Sequence, residues 1–218
     1  MSQRNLLTSA RHIAVEGPIG VGKTSLVRRL CEHLPADPLL EQSEANPFLE
    51  NYYKNPQRYA LQTQLSFLFQ RLDQMHDLAQ PDQFPRTVVC DYLMEKELLF
   101  SSLTLSDDEY ELYRQVYDRV SPAVSVVPDL VIFLQAQPET LIARVRKRGV
   151  DFEQKITDDY LTLICEGYTN FFHNYTAAPI MVVNSEHLNY ADDSNDFLLL
   201  VQRIEAMRGP REYFNRGD

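Results

Sequence analysis

Residues able to handle a phosphate chain stand together near the N-terminus: Gly17-Pro18-Ile19-Gly20-Val21-Gly22-Lys23-Thr24, followed by Ser25. The spacing is G-x-x-x-x-G-K-T, between an apolar run ending Ile13-Ala14-Val15 and the helical pattern Ser25-Leu26-Val27-Arg28-Arg29-Leu30. Such a loop needs glycine because its backbone N–H groups must curl inward around phosphate oxygens, an approach that a Cβ would block. Lys23 would then set a point charge at the β/γ bridge of a triphosphate, and the Thr24 hydroxyl would ligate Mg²⁺. The chain has only 7 glycines in 218 residues, and Gly17, Gly20 and Gly22 all fall in this loop. Chance clustering is a poor account of it.

A second group of chemically capable residues is cationic: Arg144-Val145-Arg146-Lys147-Arg148, in a chain with 21 basic residues and a formal charge of -10. Arg144 and Arg148, four apart, share a helix face. Cations that close over a γ-phosphate stabilise the charge spread over its oxygens and keep water out, which makes residues 144–155 a candidate lid. A solvated basic helix end is the plain alternative. Two acids follow apolar strands, Glu41 after Leu39-Leu40 and Asp91 after Val88-Val89-Cys90. The carboxyl ends of parallel strands are where α/β proteins gather ligands, and Asp91 stands where a phosphate-loop fold places an acid near Mg²⁺. A molecular switch or motor would need a guanine-reading Asn-Lys-x-Asp or a strand ending in Asp-Glu, and neither occurs.

These residues must be positioned by a regular frame. Short β-branched runs at 12–16, 38–42, 87–91, 130–135 and 180–184 alternate with longer helical patterns, which predicts an α/β fold: a five-stranded parallel sheet flanked by helices on both faces. Leu61, Leu65, Leu68, Leu72 and Met75 recur at steps of four and three, so they line one helix face. Ser106 followed by Glu109 is a capping-box signature, and Pro138 and Gly149 bracket a helix over 139–148. Residues 1–218 read as a single domain with the lid inserted, and the segment from Pro210 reads as a loosely held tail.

Composition narrows the partners. An acidic chain is a poor match for a nucleic-acid polymer, which is bound through clustered Lys and Arg. No run approaches the roughly 18 apolar residues of a membrane span, and Met1 to His12 lacks an apolar leader region, so a cytoplasmic location is expected. Cys31, Cys90 and Cys165 form no pair motif, and the five histidines show no ligand spacing, so the sequence suggests no metal site beyond Mg²⁺.

Taken in order, the phosphate loop, Leu40-Glu41, Asn46-Pro47-Phe48-Leu49-Glu50 with Tyr52-Tyr53, Gln62-Thr63-Gln64 leading to Arg71, Asp91, and Arg144 to Glu153 resemble the deoxyribonucleoside kinases. The likeness is to the bacterial branch acting on deoxyadenosine and deoxyguanosine, and it spans residues 12–185. It implies the phosphate-loop fold, ATP·Mg²⁺ as donor, a homodimer, and phosphorylation of a deoxynucleoside 5′-hydroxyl in nucleotide salvage. It also implies roles: Glu41 as the base, with Glu44 its nearest rival; Gln64 as the base-edge reader, with Arg71 nearby; Tyr53 and Glu153 around the sugar 3′-hydroxyl; and Phe48 as a stacking surface. Lys23, Arg144 and Arg148 would act on the phosphoryl group. Two departures stand out, because Tyr92 and Val150 replace arginines common in the family, and a phenol cannot replace a guanidinium fork. A thymidylate-like monophosphate kinase and a non-catalytic nucleotide sensor are the competing readings. Phe67 and Phe69, off the main stripe of their helix, suggest a second buried face for a dimer.

Overall fold

The computed structural model describes residues 6–80, 86–121, 126–150 and 153–216. Residues 151–152 of the expected lid, 217–218 of the expected tail and the first five of the chain lie outside the described residues. In chain order the elements are α1 (Leu6–Ser9), β1 (His12–Glu16), α2 (Lys23–His33), β2 (Ala36–Leu39), α3 (Leu49–Lys54), α4 (Pro56–Leu78), β3 (Thr87–Cys90), α5 (Lys96–Thr104) and α6 (Asp107–Val120). There follow β4 (Leu130–Gln135), α7 (Pro138–Arg148), α8 (Asp158–His173), β5 (Ile180–Asn184), α9 (Ser194–Glu205) and β6 (Arg211–Phe214).

Side chains alternate across the strands and build two cores, one on each face of the sheet. Ile13 and Val15 of β1, Leu130, Ile132 and Leu134 of β4, and Met181 and Val183 of β5 pack with Leu26, Val27 and Leu30 of α2 and Phe197, Leu200 and Ile204 of α9. Their neighbours Ala14, Val131, Phe133, Ile180 and Val182 face the other way, against Ile164, Tyr168 and Phe172 of α8 and Met75 of α4. Strands buried on both faces explain why these runs read as continuously apolar. Leu68 and Leu72 continue the α4 stripe against Tyr113 of α6, with Leu61 and Leu65 packed alongside.

The sheet is parallel, in the order β2-β3-β1-β4-β5-β6. It therefore has six strands, not the expected five. The additional one is β6, drawn from the segment expected to be a loose tail. Phe214 is buried there, and Arg211 donates to the carbonyls of Phe172 (2.9 Å) and Tyr175 (2.6 Å), capping the end of α8. β2 starts two residues and ends three residues earlier than expected. After Leu39 pairs with Cys90, the Glu41 N–H turns to the Asp91 side chain at 2.7 Å, and the strand ends. β1, β4 and β5 match their expected bounds.

Helix ends follow the sequence signals. The Glu109 carboxylate accepts from the Ser106 N–H at 3.1 Å to close the box at the start of α6, and α7 opens with Pro138 and stops at Gly149. Because the chain passes from β1 to β2 and β3 on one side and then to β4 on the other, the direction of winding reverses at the carboxyl ends of β1 and β3. That reversal opens a crevice, and the phosphate loop and Asp91 both lie in it.

Candidate active site

The phosphate loop leaves β1 and enters α2, whose N-terminus points its free N–H groups toward an incoming anion. Gly17 has φ 152°, and a Cβ there would sit 2.3 Å from the carbonyl oxygen of Leu134. Gly20, at φ 83°, presses on α7, where a Cβ would meet Val145 Cγ2 at 2.8 Å and the Leu141 oxygen at 3.0 Å. Glycine thus lets the loop curl and also brings the lid helix against it. Lys23 Nζ donates to the carbonyls of Gly17 (2.7 Å) and Pro18 (3.2 Å). Burial, with help from Lys96, holds its pKa below the ordinary lysine value. An ammonium held on two carbonyls gains a stronger partner when phosphate oxygens enter.

The two residues expected at Mg²⁺ stand together: Thr24 Oγ1 donates to Asp91 Oδ2 at 2.6 Å. The other Asp91 oxygen accepts the Glu41 N–H, so one buried carboxylate joins the phosphate loop to the base candidate. A hydroxyl and an acid suit a hard cation. Among the described residues no group of three or more His, Cys, Asp or Glu could hold a metal alone.

Glu41 faces this loop across a pocket that Lys23, Thr24, Gln64, Arg71, Asp91 and Lys96 also line. Its side chain is 20% exposed, and its Oε2 accepts from Arg71 at 2.7 Å and Lys96 at 2.8 Å. Burial opposes ionisation here, but the Arg71 guanidinium and the Lys96 ammonium outweigh it and hold the Glu41 pKa well below the carboxylate range. Glu44, the rival candidate, is exposed and does not line this pocket. Arg71 is itself buried and also pairs with the fully buried Glu97, which accepts from Tyr113 Oη.

The sugar and base candidates line the same pocket. Gln64 is buried on α4 with Nε2 on Thr104 Oγ1 (3.1 Å), whereas Gln62 is exposed. Tyr53 and Glu153 both line the cavity, and burial raises the Tyr53 pKa above the ordinary phenol value. Phe48 is not among the lining residues; Phe67 and Phe100 supply aromatic surface instead. Phe67 thus turns into the pocket, and of the pair expected at a dimer face only Phe69 is exposed.

The arginines of the candidate lid diverge. Arg148 Nε donates to Glu153 Oε2 at 2.9 Å, and both side chains reach the pocket. Arg146 pairs with Asp158 on the surface. Arg144, expected to face the phosphoryl group with Arg148, binds Ser185 Oγ (3.2 Å) and the Ser185 carbonyl (2.8 Å), and does not line this pocket. The carbonyl and hydroxyl beyond β5 offer it acceptors that a helix-face count does not see.

Sequence reasoning missed Lys96, Glu16, Glu97 and Tyr168. Glu16 is fully buried, accepting from Gly17 N (3.1 Å), Leu93 N (2.6 Å) and Tyr168 Oη (2.8 Å). Tyr92, in the place of an expected arginine, packs into the core under the Arg71 guanidinium, which lies 5.6 Å from its ring centre. The second cation beside Glu41 comes from Lys96, four residues further on at the start of α5. An acid closing β1 and a lysine inside the acidic run Glu95-Lys96-Glu97 were the available signals.

A parallel sheet with a glycine-lined phosphate cradle at its winding reversal, facing a carboxylate across a pocket, is the frame of a phosphate-loop phosphotransferase that acts on a hydroxyl group. The deoxynucleoside kinase family model matches residues 13–207, and the chain belongs to that family. It is 32% identical to a deoxyguanosine kinase of Bacillus subtilis over 197 residues, 88% of this chain and 92% of the relative. It is 30% identical to a deoxyadenosine kinase of Lactobacillus acidophilus over 196 residues, covering 84% and 89%. Among solved structures, the deoxyadenosine kinase of M. mycoides with the products dCMP and a flexible dCDP superposes with a TM-score of 0.78 at 25% identity, over 90% of this chain and all of that one.

Proposed function

We propose that this chain transfers the γ-phosphoryl group of ATP to the 5′-hydroxyl of a purine deoxynucleoside, giving the monophosphate and ADP for nucleotide salvage. The observation that carries the reading is the link Thr24–Asp91–Glu41, which fixes the candidate base and the phosphate loop to one carboxylate. The relatives named for deoxyguanosine and deoxyadenosine support the purine preference.

In this reading, main-chain N–H groups of residues 17–25 and Lys23 hold the donor's β- and γ-phosphates. Mg²⁺, where Thr24 and Asp91 would help to hold it, neutralises phosphate charge and fixes the donor's orientation. Gln64 and Arg71 read the base edge, while Tyr53 and Glu153 bind the 3′-hydroxyl. Glu41 orients the 5′-hydroxyl and accepts its proton as the oxygen attacks phosphorus. Its depressed pKa keeps it ionised, so it works chiefly by orientation, with proton transfer late. Arg148 closes over the phosphoryl group by exchanging Glu153 for phosphate oxygens, and Arg144 supports that helix from Ser185.

A monophosphate acceptor is disfavoured because Arg71 and Lys96, cations on the acceptor side, are already held by Glu41 and Glu97. Exposed Phe69 on α4 supplies apolar surface for a second copy, and light scattering at micromolar concentration tests for the dimer. Three free cysteines suit the reducing cytoplasm, and no described helix is long and apolar enough to cross a membrane. The test of function is incubation with ATP, Mg²⁺ and each of the four deoxynucleosides and their monophosphates. Faster turnover of a monophosphate would favour the thymidylate-kinase reading, and ATP binding without acceptor-dependent ADP would favour a sensor.

A further inference from the structure

Lys96 opens α5 and is 4% exposed, yet its ammonium lines the pocket. It stands 2.8 Å from Glu41 Oε2 and 3.7 Å from Glu16 Oε1, and 5.8 Å from the ring centre of Phe100. Glu16 is an immovable anion, since three donors from Gly17, Leu93 and Tyr168 already fix its two oxygens. Lys96 therefore ties the Glu41 carboxylate to a fully buried one bonded to the first residue of the phosphate loop.

Both cations at Glu41 bind the same oxygen. Arg71 and Lys96 converge on Oε2, and no described residue donates to Oε1. A carboxylate pinned through one oxygen presents the other at a fixed angle, as a hydroxyl acceptor requires. Arg71 alone would not achieve this, because it is shared with Glu97 on the far side. Charge makes the same demand. Glu41 and Asp91 are carboxylates on the wall that must receive a polyanion, Glu16 is fully buried beside Lys96, and like charges at such range repel in a poorly solvated site. Lys23 sits inside the loop on its carbonyls, which leaves Lys96 as the cation touching both Glu16 and Glu41.

We propose that Lys96 is a positioning residue for phosphoryl transfer: it fixes Glu41 through Oε2 so that Oε1 meets the acceptor hydroxyl, and it offsets the Glu16–Glu41 charge against the entering γ-phosphate. The role rests on the proposed function and adds to it a residue outside the phosphate loop, the candidate lid and the base reader.

The test compares Lys96→Met, Lys96→Arg and Lys96→Cys, the last before and after treatment with 2-bromoethylamine, which restores an ammonium through a thioether. Wild type, with its own three cysteines, is treated in parallel. Lys96→Met should lower kcat by at least about a hundredfold while the KM for the deoxynucleoside changes by less than about fivefold, and the Kd for ATP should rise because the Glu16–Glu41 charge is no longer offset. Lys96→Arg should retain about a tenth of wild-type kcat or more, and aminoethylation of Lys96→Cys should recover at least about tenfold over the untreated variant. A residue that only fills space would give no such recovery, since the modification adds charge to an already folded chain. Turnover of Lys96→Met within about threefold of wild type overturns the proposal. If Lys96→Met does not fold, equal turnover of treated and untreated Lys96→Cys overturns it instead. Wild-type protein inactive on every deoxynucleoside would reject the functional reading and this role with it, whereas active wild type beside active Lys96→Met rejects the role of Lys96 alone.

Discussion

Replacing Glu41 by glutamine separates chemistry from binding, because the residue's backbone is held independently of its charge. The Glu41 N–H stays on Asp91 at 2.7 Å in the variant, so the side chain starts from the same place. An amide oxygen can still accept from Arg71 and Lys96, but the two ion pairs are lost. At about 4 Å and an effective dielectric near 20, each is worth roughly 4 kcal/mol in gross terms. Most of that is returned. Arg71 keeps Glu97, Lys96 keeps Glu16 at 3.7 Å, and the desolvation cost of the Glu41 charge disappears. A net loss of about 1–2 kcal/mol of stability follows. Loss of a positioned base typically costs about 10²–10⁴ in rate, or roughly 3–5 kcal/mol of barrier. Turnover should thus fall at least about a hundredfold while the Kd for ATP, read by calorimetry, stays within about threefold. The assay is acceptor-dependent ADP release beside a urea unfolding curve. Turnover within threefold of wild type would refute the base role, and parallel loss of turnover, ATP binding and fold would refute the separation.

Gly20→Ala should weaken ATP binding by about tenfold or more in the same calorimetric assay, since its Cβ would press on Val145 and Leu141 of α7 at a φ of 83° and force the loop open. Truncation after Gly209 should cost at least about 3 kcal/mol in urea unfolding, from the burial of Phe214, the Arg211 bonds and the edge ladder of β6; a loose tail would cost nothing measurable. His12 is buried beside Cys90, and burial, opposed by Asp129, lowers its pKa from 6.5 to about 4. The unfolded chain therefore takes up the proton first, so this stability is complete above about pH 6.5 and falls by about 3 kcal/mol as pH drops to about 4. Denaturation midpoints of His12→Leu should lose that part of the pH dependence, and equal slopes for the two proteins would exclude His12 as its source.

What could be read from the sequence was what is local along it. The phosphate loop is contiguous, and the apolar runs of β1, β4 and β5 are buried on both faces, so pattern and position coincide. Glu41 and Asp91 were legible as acids after strands, although only the structure shows Asp91 accepting from both Thr24 and the Glu41 backbone. Arg144 shows the limit of such reading. Its spacing to Arg148 is correct, but acceptors at Ser185, distant in sequence, decide where the guanidinium goes. β6 escaped notice for the same reason, as Arg211-Glu212-Tyr213-Phe214 carries little β pattern and becomes a strand because β5 leaves an edge for it after α9.

Lys96 carries this point into function. The family resemblance places an arginine directly after Asp91, where Tyr92 offers no cation, and Arg146 and Arg148 are the compensating cations that the sequence suggests. The physical requirement is a position in space: a buried charge within hydrogen-bond reach of Glu41, counter-charged by a fixed acid. Lys96, four residues past Tyr92 at the start of α5, stands at that point, and Glu16, closing β1, supplies the acid. The departure at Tyr92 therefore does not by itself argue for a non-catalytic protein. Tyr92 packs in the core beneath Arg71, and the charge it lacks is supplied from α5. Substituting Tyr92 by arginine should then fail to raise turnover, because a guanidinium at a position 1% exposed would be buried beside Arg71 and repel it. A gain in kcat for Tyr92→Arg at unchanged stability would show that Lys96 leaves the site short of a cation after all.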